Sequence, residues 1–482
     1  MKRYFLVFLV LLLSMTNLPA QGFQERYESF RKQTVLNYKN FREACNNQYI
    51  EFLLESWKLV NAQEAVAPPK EDWLPPVEMS EDENKPPVDR EIPSEPIRNP
   101  KPDTLRPLPV EPIEPSPVKQ EILSFDFLNT SMQVHVGRDS RFMIPTLDEK
   151  GVAETWRILS NPTFDNLILD CLFLRDEYKL CDWAYLLMLY SLSYEFLGEG
   201  NEAMLLTAYL YSQSGYQMRL GITDRELSLL VATDYLVYGR PYFSIDDVNY
   251  WALNGGAQSM RVVGHDFPGG KPLSLEIPEV PHLAWNASEP KLLKGSYSLV
   301  TASCQLNLNL LAFYDLYPNA QYGDNAMTRW AMYANAPMDP EVKAQLYPSL
   351  ERAMIGKTLP EAANLLLDFV QRAFQYEYDD KMWGGDRALF AEETLFYPFS
   401  DCEDRSILYS RLVRDLLGLE VALVYYPGHL ATAVKFPFHV SGDYVMIDSQ
   451  PFLVCDPTYI GAPIGKSMPD LDKQAAKVIV LR

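Results

Sequence analysis

Fifteen of the chain's 36 prolines fall between Pro68 and Pro117. Proline has no backbone N–H and a fixed φ, so it interrupts helix interiors and is excluded from central strands. A stretch this rich in it cannot form a core, and it splits the 482 residues into a short amino-terminal part and a long carboxy-terminal one. The stretch also carries twelve Asp or Glu against six Lys or Arg. Steps such as Pro86-Pro87 and Pro107-Leu108-Pro109 leave it without a hydrophobic period. Residues 64–118 are therefore expected to be an extended, semi-rigid linker that holds what precedes it away from the body. Elsewhere the chain reads as globular, since 47% of its residues are apolar and 22% charged.

Two segments precede the linker. Residues 1–21 open with Lys2 and Arg3, run apolar from Tyr4 to Leu13 and reach a small-residue site at Ala20, the order of a secretory signal peptide. A run that short does not cross a bilayer, which needs about twenty apolar residues. The mature chain is thus expected to be periplasmic or secreted, with no membrane span. In residues 22–63, Phe23, Tyr27, Phe30, Thr34, Tyr38, Phe41, Cys45, Tyr49 and Phe52 recur at steps of three and four, predicting one amphipathic helix. Its stripe either docks back on the protein or serves as an arm for a protein partner or self-association, and Cys45 on it would allow an intermolecular disulfide. The excess of 64 acidic over 43 basic residues, net −21, argues against nucleic acid as a partner.

Beyond the linker two units are expected, an α+β domain over 119–300 and a second over 301–482. The first reads as helices 152–159, 181–197 and 201–214, stopped by Gly215, then strands 216–222, 227–233 and 248–253, with short strands around Leu273 and Tyr297. The second opens with helices at 341–355 and 359–375 and ends on the strongest chemical signals. Ser400-Asp401-Cys402-Glu403-Asp404 starts a helix with Ile407, Leu408, Val413, Leu416 and Leu417 on one face. Gly428-His429-Leu430-Ala431 opens a strand, and Cys455-Asp456-Pro457-Thr458 closes another.

A thiol attacks only as thiolate, and a free cysteine is mostly protonated at neutral pH. Cys402 at a helix N-terminus faces unsatisfied N–H groups that favour the anion. His429 on a facing strand can take the proton, and Asp456 beside it can fix the tautomer and stabilise imidazolium. Glu403 and Asp404 oppose the thiolate. Asp448 is a second candidate for the orienting acid, and the N–H of Cys402, with Gln375 and Tyr397, are candidates for the oxyanion site. His439 reads as a loop residue. No Cys-x-x-Cys or His-x-x-x-His pattern is present and no spaced acidic loop accompanies Asp379-Asp380, so neither a metal nor another cofactor is expected.

The order of these residues and the local words Asp-Cys-x-Asp, Gly-His-x-Ala and Asp-Pro-Thr resemble the bacterial transglutaminase-like superfamily, including its cysteine peptidases. The resemblance covers roughly 359–465. It implies a papain-like core with the cysteine helix against an antiparallel sheet, Cys402 as nucleophile, His429 as base and Asp456 as orienting acid. The implied function is a cysteine hydrolase acting on an amide, peptide or isopeptide bond of a peptide or protein substrate. The alternatives are a protein-glutamine transamidase and a binding or scaffold protein with a vestigial triad. Phe399-Ser400 replaces the Trp or Gly that precedes the Asp-Cys pair in relatives.

The same helix, glycine, strand, turn, strand order occurs at 201–231, with Glu226 in the place of His429 and Glu199 or Glu202 near that of Cys402. Either the first domain is a degenerate copy of the catalytic one or the order recurs by chance. Of the six cysteines, Cys171 and Cys181 are the nearest candidate bridge, and Cys455 is expected to be a buried thiol.

Overall fold

The helix over residues 41–54 lays Cys45, Tyr49, Ile50 and Leu53 into the core, with the Tyr49 ring 4.8 Å from that of Trp156. This computed structural model describes residues 41–80, 86–98, 107, 109, 115–116, 118–255, 257–294 and 300–482; the segment 1–21 expected to be a signal peptide and the first half of the expected 22–63 helix lie outside them. From Cys45 onward the described part of the stripe therefore faces the chain's own body, and Cys45 is sealed from an intermolecular disulfide. The helix also stops short of residue 63, because Lys58–Asn61 is a strand paired with Ser259–Val262.

The architecture is α+β. In the first half, helices Asp165–Glu177, Asp182–Leu197 and Asn201–Gln213 accompany a six-stranded antiparallel sheet. Its order is 58–61, 259–262, 218–222, 227–232, 248–252 and 243–245. In the second, the helix Cys402–Leu417 packs on a seven-stranded sheet, with the helix Leu359–Ala373 against it. That sheet runs 90–91, 443–447, 450–455, 429–434, 421–426, 477–480 and 95–98.

The five central strands of the two sheets correspond in order and in register. Gly215 and Gly418, at φ of 92° and 64°, each leave a helix and lead into a strand. Met218 then faces Val231 as Val421 faces Val434. Trp251 faces Val231 as Leu453 faces Val434. Each sheet closes its next hairpin on two residues of positive φ, Asp246-Asp247 in one and Asp448-Ser449 in the other. Counted along this register, Glu226 stands where His429 does and Asn254 where Asp456 does. The first-half helix is one turn shorter and begins at Asn201, with no thiol at its start.

Where it is described, the proline-rich segment packs on the body instead of extending from it. Val77–Glu78 pairs with Tyr459–Ile460, Arg90–Glu91 with Asp443-Tyr444, and Glu95–Arg98 with Lys477–Val480, all parallel. The last two pairings lie at opposite edges of the five central strands. In a flat sheet with strands about 4.8 Å apart, those two partners would be about 29 Å apart. The four steps from Glu91 to Glu95 span at most about 14 Å. The sheet is therefore curled until its edges face each other, and 90–98 closes the seam. Ile92, 1% exposed, fills the interior with Val424, Ala431, Val454 and Val478. Arg98 locks the closure with a 2.6 Å ion pair to Asp448.

One continuous cluster of buried apolar residues runs from Cys45 to Ile479 through both halves, so the expected division at residue 300 is not a break in the core. All six cysteines are free and buried, and Cys171 and Cys181 are unbridged. Among the described residues, no helix is long and apolar enough to cross a membrane.

Candidate active site

The word Asp-Cys-x-Asp is a helix cap. Asp401 accepts the N–H groups of Glu403 (3.0 Å) and Asp404 (3.4 Å), while Asp404 accepts the N–H of Asp401 at 3.2 Å. This reciprocal box makes Cys402 the first residue of its helix. One turn on, Ser406 donates to Leu430 O at 2.9 Å, fixing the helix start against the His429 strand. The Leu430 backbone N–H accordingly points at the Cys402 sulfur.

The word Asp-Pro-Thr is a turn that aims a carboxylate. Asp456 Oδ1 accepts the N–H groups of Thr458 (2.9 Å) and Tyr459 (3.2 Å), leaving Oδ2 to meet His429 Nε2 at 2.9 Å. Gln371, from the helix Leu359–Ala373, clamps this turn. Its amide donates to Asp456 O, Tyr459 O and Ala462 O and accepts the Gly461 N–H. The sequence reading missed Gln371; its position on the buried face of an amphipathic helix was the available signal.

The fold starts the Cys402 helix against the His429 strand and pairs His429 with Asp456, and all three residues are sealed, at 0%, 0% and 1% exposure. His429 Nδ1 is buried with no hydrogen-bond partner, and the imidazole lies nearly parallel to the Tyr426 ring. Burial, followed by the charges of Asp401 and Glu403, pushes the Cys402 thiol well above its ordinary value, against the weaker pull of the Leu430 N–H. In this closed form Cys402 is a protonated thiol. Asp448 sits on the exposed hairpin turn with Arg98 and is not the orienting acid. His439 is exposed and pairs with Asp89 at 3.2 Å. Neither side-chain guess for the oxyanion site is brought to the sulfur. Gln375 is exposed, and Tyr397 packs on Trp383. Tyr376 and Tyr378 are the aromatics whose phenols are influenced by Cys402, and burial pushes both phenols up.

Beside the thiol is a group of acids. Asp379, Asp401 and Glu403 each offer one ligand atom, all within 4.8 Å of one another. Each also spends an oxygen elsewhere: Asp379 on the Arg387 N–H, Asp401 on the cap, Glu403 on the Trp330 indole. Asp401 Oδ2 and Glu403 Oε1 are buried and unpartnered. Three carboxylates without nitrogen or sulfur donors could hold one hard cation such as calcium or magnesium. The sequence reading weighed Asp379 only with Asp380; the fold groups it with residues 22 and 24 positions away that flank Cys402.

The segment 71–79 crosses this site. Leu74 donates its N–H to Gly428 O at 2.8 Å, Tyr376 donates to Leu74 O at 3.3 Å, and Met79 donates to Ile460 O at 2.9 Å. A cleft of about 460 Å³ opens between residues 67–73 and Tyr378, Asp379 and Asp386. No family model, curated protein or solved structure matches the chain.

Proposed function

We propose that the chain is a cysteine hydrolase with a papain-like, transglutaminase-type core, acting on an amide, peptide or isopeptide bond outside the cytoplasm. The observation that carries this reading is the buried His429 Nε2–Asp456 Oδ2 pair, which leaves Nδ1 free on the strand that faces the Cys402 helix. In the reaction His429 Nδ1 takes the thiol proton and the sulfur adds to the substrate carbonyl. The tetrahedral adduct collapses as imidazolium gives that proton to the departing amine and the C–N bond breaks. Water, deprotonated by His429, then cleaves the thioester to the acid and restores the thiol. An amine in place of water would give a transamidated product.

In this mechanism Asp456 orients the ring through Nε2, leaves Nδ1 for the thiol proton and stabilises imidazolium. Replacing Asp456 with Asn is expected to lower turnover by about 10³–10⁴-fold with little change in KM, as for orienting acids of other triads. Cys402→Ala is expected to abolish it. The decisive measurement is covalent capture of Cys402 by an electrophilic peptide analogue, followed by mass spectrometry, in the native protein and in His429→Ala.

A second reading, a binding or scaffold protein with a vestigial triad, draws on the sealed, protonated state of Cys402. Equal capture with and without His429 would favour it and defeat the hydrolase. The acyl acceptor is identified separately, by incubating a peptide amide substrate with and without an added amine and reading whether acid or amide accumulates.

A further inference from the structure

Segment 71–79 makes main-chain bonds at both ends of the candidate catalytic constellation. Its Leu74 N–H reaches the carbonyl of Gly428, the residue before His429, and its Val77–Glu78 strand and Met79 N–H reach Tyr459–Ile460, just past Asp456. The approach at the first end is close: a Cβ added to Gly428 would stand 2.6 Å from Asp72 O, and Gly428 has a φ of +74°. Between these contacts the backbone runs extended through Pro75-Pro76, which supply no N–H of their own.

The anchors are side chains of the kind that seat a bound peptide. Glu71 meets Arg329 at 3.4 Å and accepts the Tyr425 hydroxyl at 2.9 Å. Trp73 packs beside Trp330 with ring centroids 6.1 Å apart and gives its indole N–H to Asp386 at 3.2 Å. Arg329 and Trp330 are buried and belong to the helix Arg329–Asn335, so the seat is part of the fold and not of the segment.

We propose that the surface spanning Gly428, Tyr376 and Tyr459–Ile460 is a binding groove for an extended peptide, and that residues 71–79 fill it in cis as an internal occupant. The ligand class is a peptide strand held by main-chain hydrogen bonds and one aromatic anchor. Displacement of residues 71–79 would give a substrate the same groove and expose Cys402. This rests on the reading of Cys402 as the working thiol only for its role in turnover; the groove itself stands on geometry.

The test is alkylation of Cys402 by iodoacetamide in the full-length chain, with Cys455, equally buried on the strand Gln450–Cys455, as an internal control. In Trp73→Ala/Leu74→Pro, Cys402 is expected to react at least about tenfold faster while Cys455 does not change, as local opening requires. A synthetic peptide of residues 70–80 is expected to slow that reaction again. The proposal is overturned if Cys402 stays as protected as Cys455 or if the peptide gives no protection. Should the double variant unfold, which Cys455 would report, the unmodified protein decides. There the opening that exposes Cys402 must match amide exchange at Leu74, and a Cys402 that reacts only with global unfolding sinks the groove. Assaying peptide hydrolysis in the displaced variant with His429 intact separates the two readings: exposure of Cys402 with no more hydrolysis than in His429→Ala would end the hydrolase and leave the groove intact.

Discussion

Asp379, Asp401, Glu403 and Asp404 crowd the start of the Cys402 helix, and burial and mutual repulsion raise all four above the usual carboxylate range. Glu392 and Glu393, buried on the neighbouring short helix, are pushed up to about 7. A carboxyl raised in the folded state keeps a proton that the unfolded chain has already lost. Its contribution is complete below about pH 4, the unfolded value, and is lost as pH rises through the folded one. The melting temperature is therefore expected to fall from pH 5 to 9, with a slope of about 1.4 kcal/mol per pH unit for each proton released. Asp379→Asn should flatten the upper part of that profile, measured by differential scanning calorimetry in a chelator. A steeper fall in the variant would refute the assignment. At the same scale, six free buried cysteines predict that Ellman's reagent titrates essentially no thiol in the native protein and six after denaturation. Four thiols in denaturant would reveal a disulfide.

At the scale of elements, Ile92 shows how far the proline-rich segment belongs to the fold. Ile92→Ala removes a side chain from inside the closed sheet and is expected to cost about 2–5 kcal/mol in urea unfolding. A loss below about 0.5 kcal/mol, typical of surface positions, would mean that the segment is dispensable. Its role was illegible in the sequence because strands of two to four residues carry no period, and because Pro96 argues against a central strand but is tolerated at an edge, where it lies. Other elements were legible for physical reasons. The helix Leu359–Ala373 has Thr358 with Glu361 as a capping box and proline in its first turn, and the expected span ends within two residues of the observed one. The helix Asp165–Glu177 escaped notice because Leu169, Leu172 and Phe173 spread apolar character around it, away from Leu167, Ile168, Cys171 and Leu174. The site divides in the same way. Asp-Cys-x-Asp and Asp-Pro-Thr could be read because each is a local hydrogen-bonding device, whereas Gln371, Tyr376 and the crossing segment reach the site only through tertiary packing.

At the scale of the whole molecule, the continuous core implies one cooperative unit. Thermal unfolding is expected to give a single transition by both far- and near-ultraviolet circular dichroism, and a fragment of residues 119–482 is expected to lack near-ultraviolet signal because it lacks both 41–61 and the seam. Two resolved transitions, or a native-like fragment, would contradict this. The correspondence of the two sheets sets the first half apart chemically: where the second half has His429 and Asp456, the first has Glu226 and Asn254. The closing seam also dictates an order of events in biosynthesis. Lys477 and Glu95 are joined by an ion pair and a strand pairing across 382 residues of chain. During synthesis the early partner emerges long before the late one, so the edge strand at 421–426 has no neighbour at 477–480 and the early segment has nothing to pair with. Such distant pairing is slow and leaves exposed strand edges open to wrong partners. The second half therefore cannot close until residues 477–480 have been synthesised and are free to reach Glu95–Arg98.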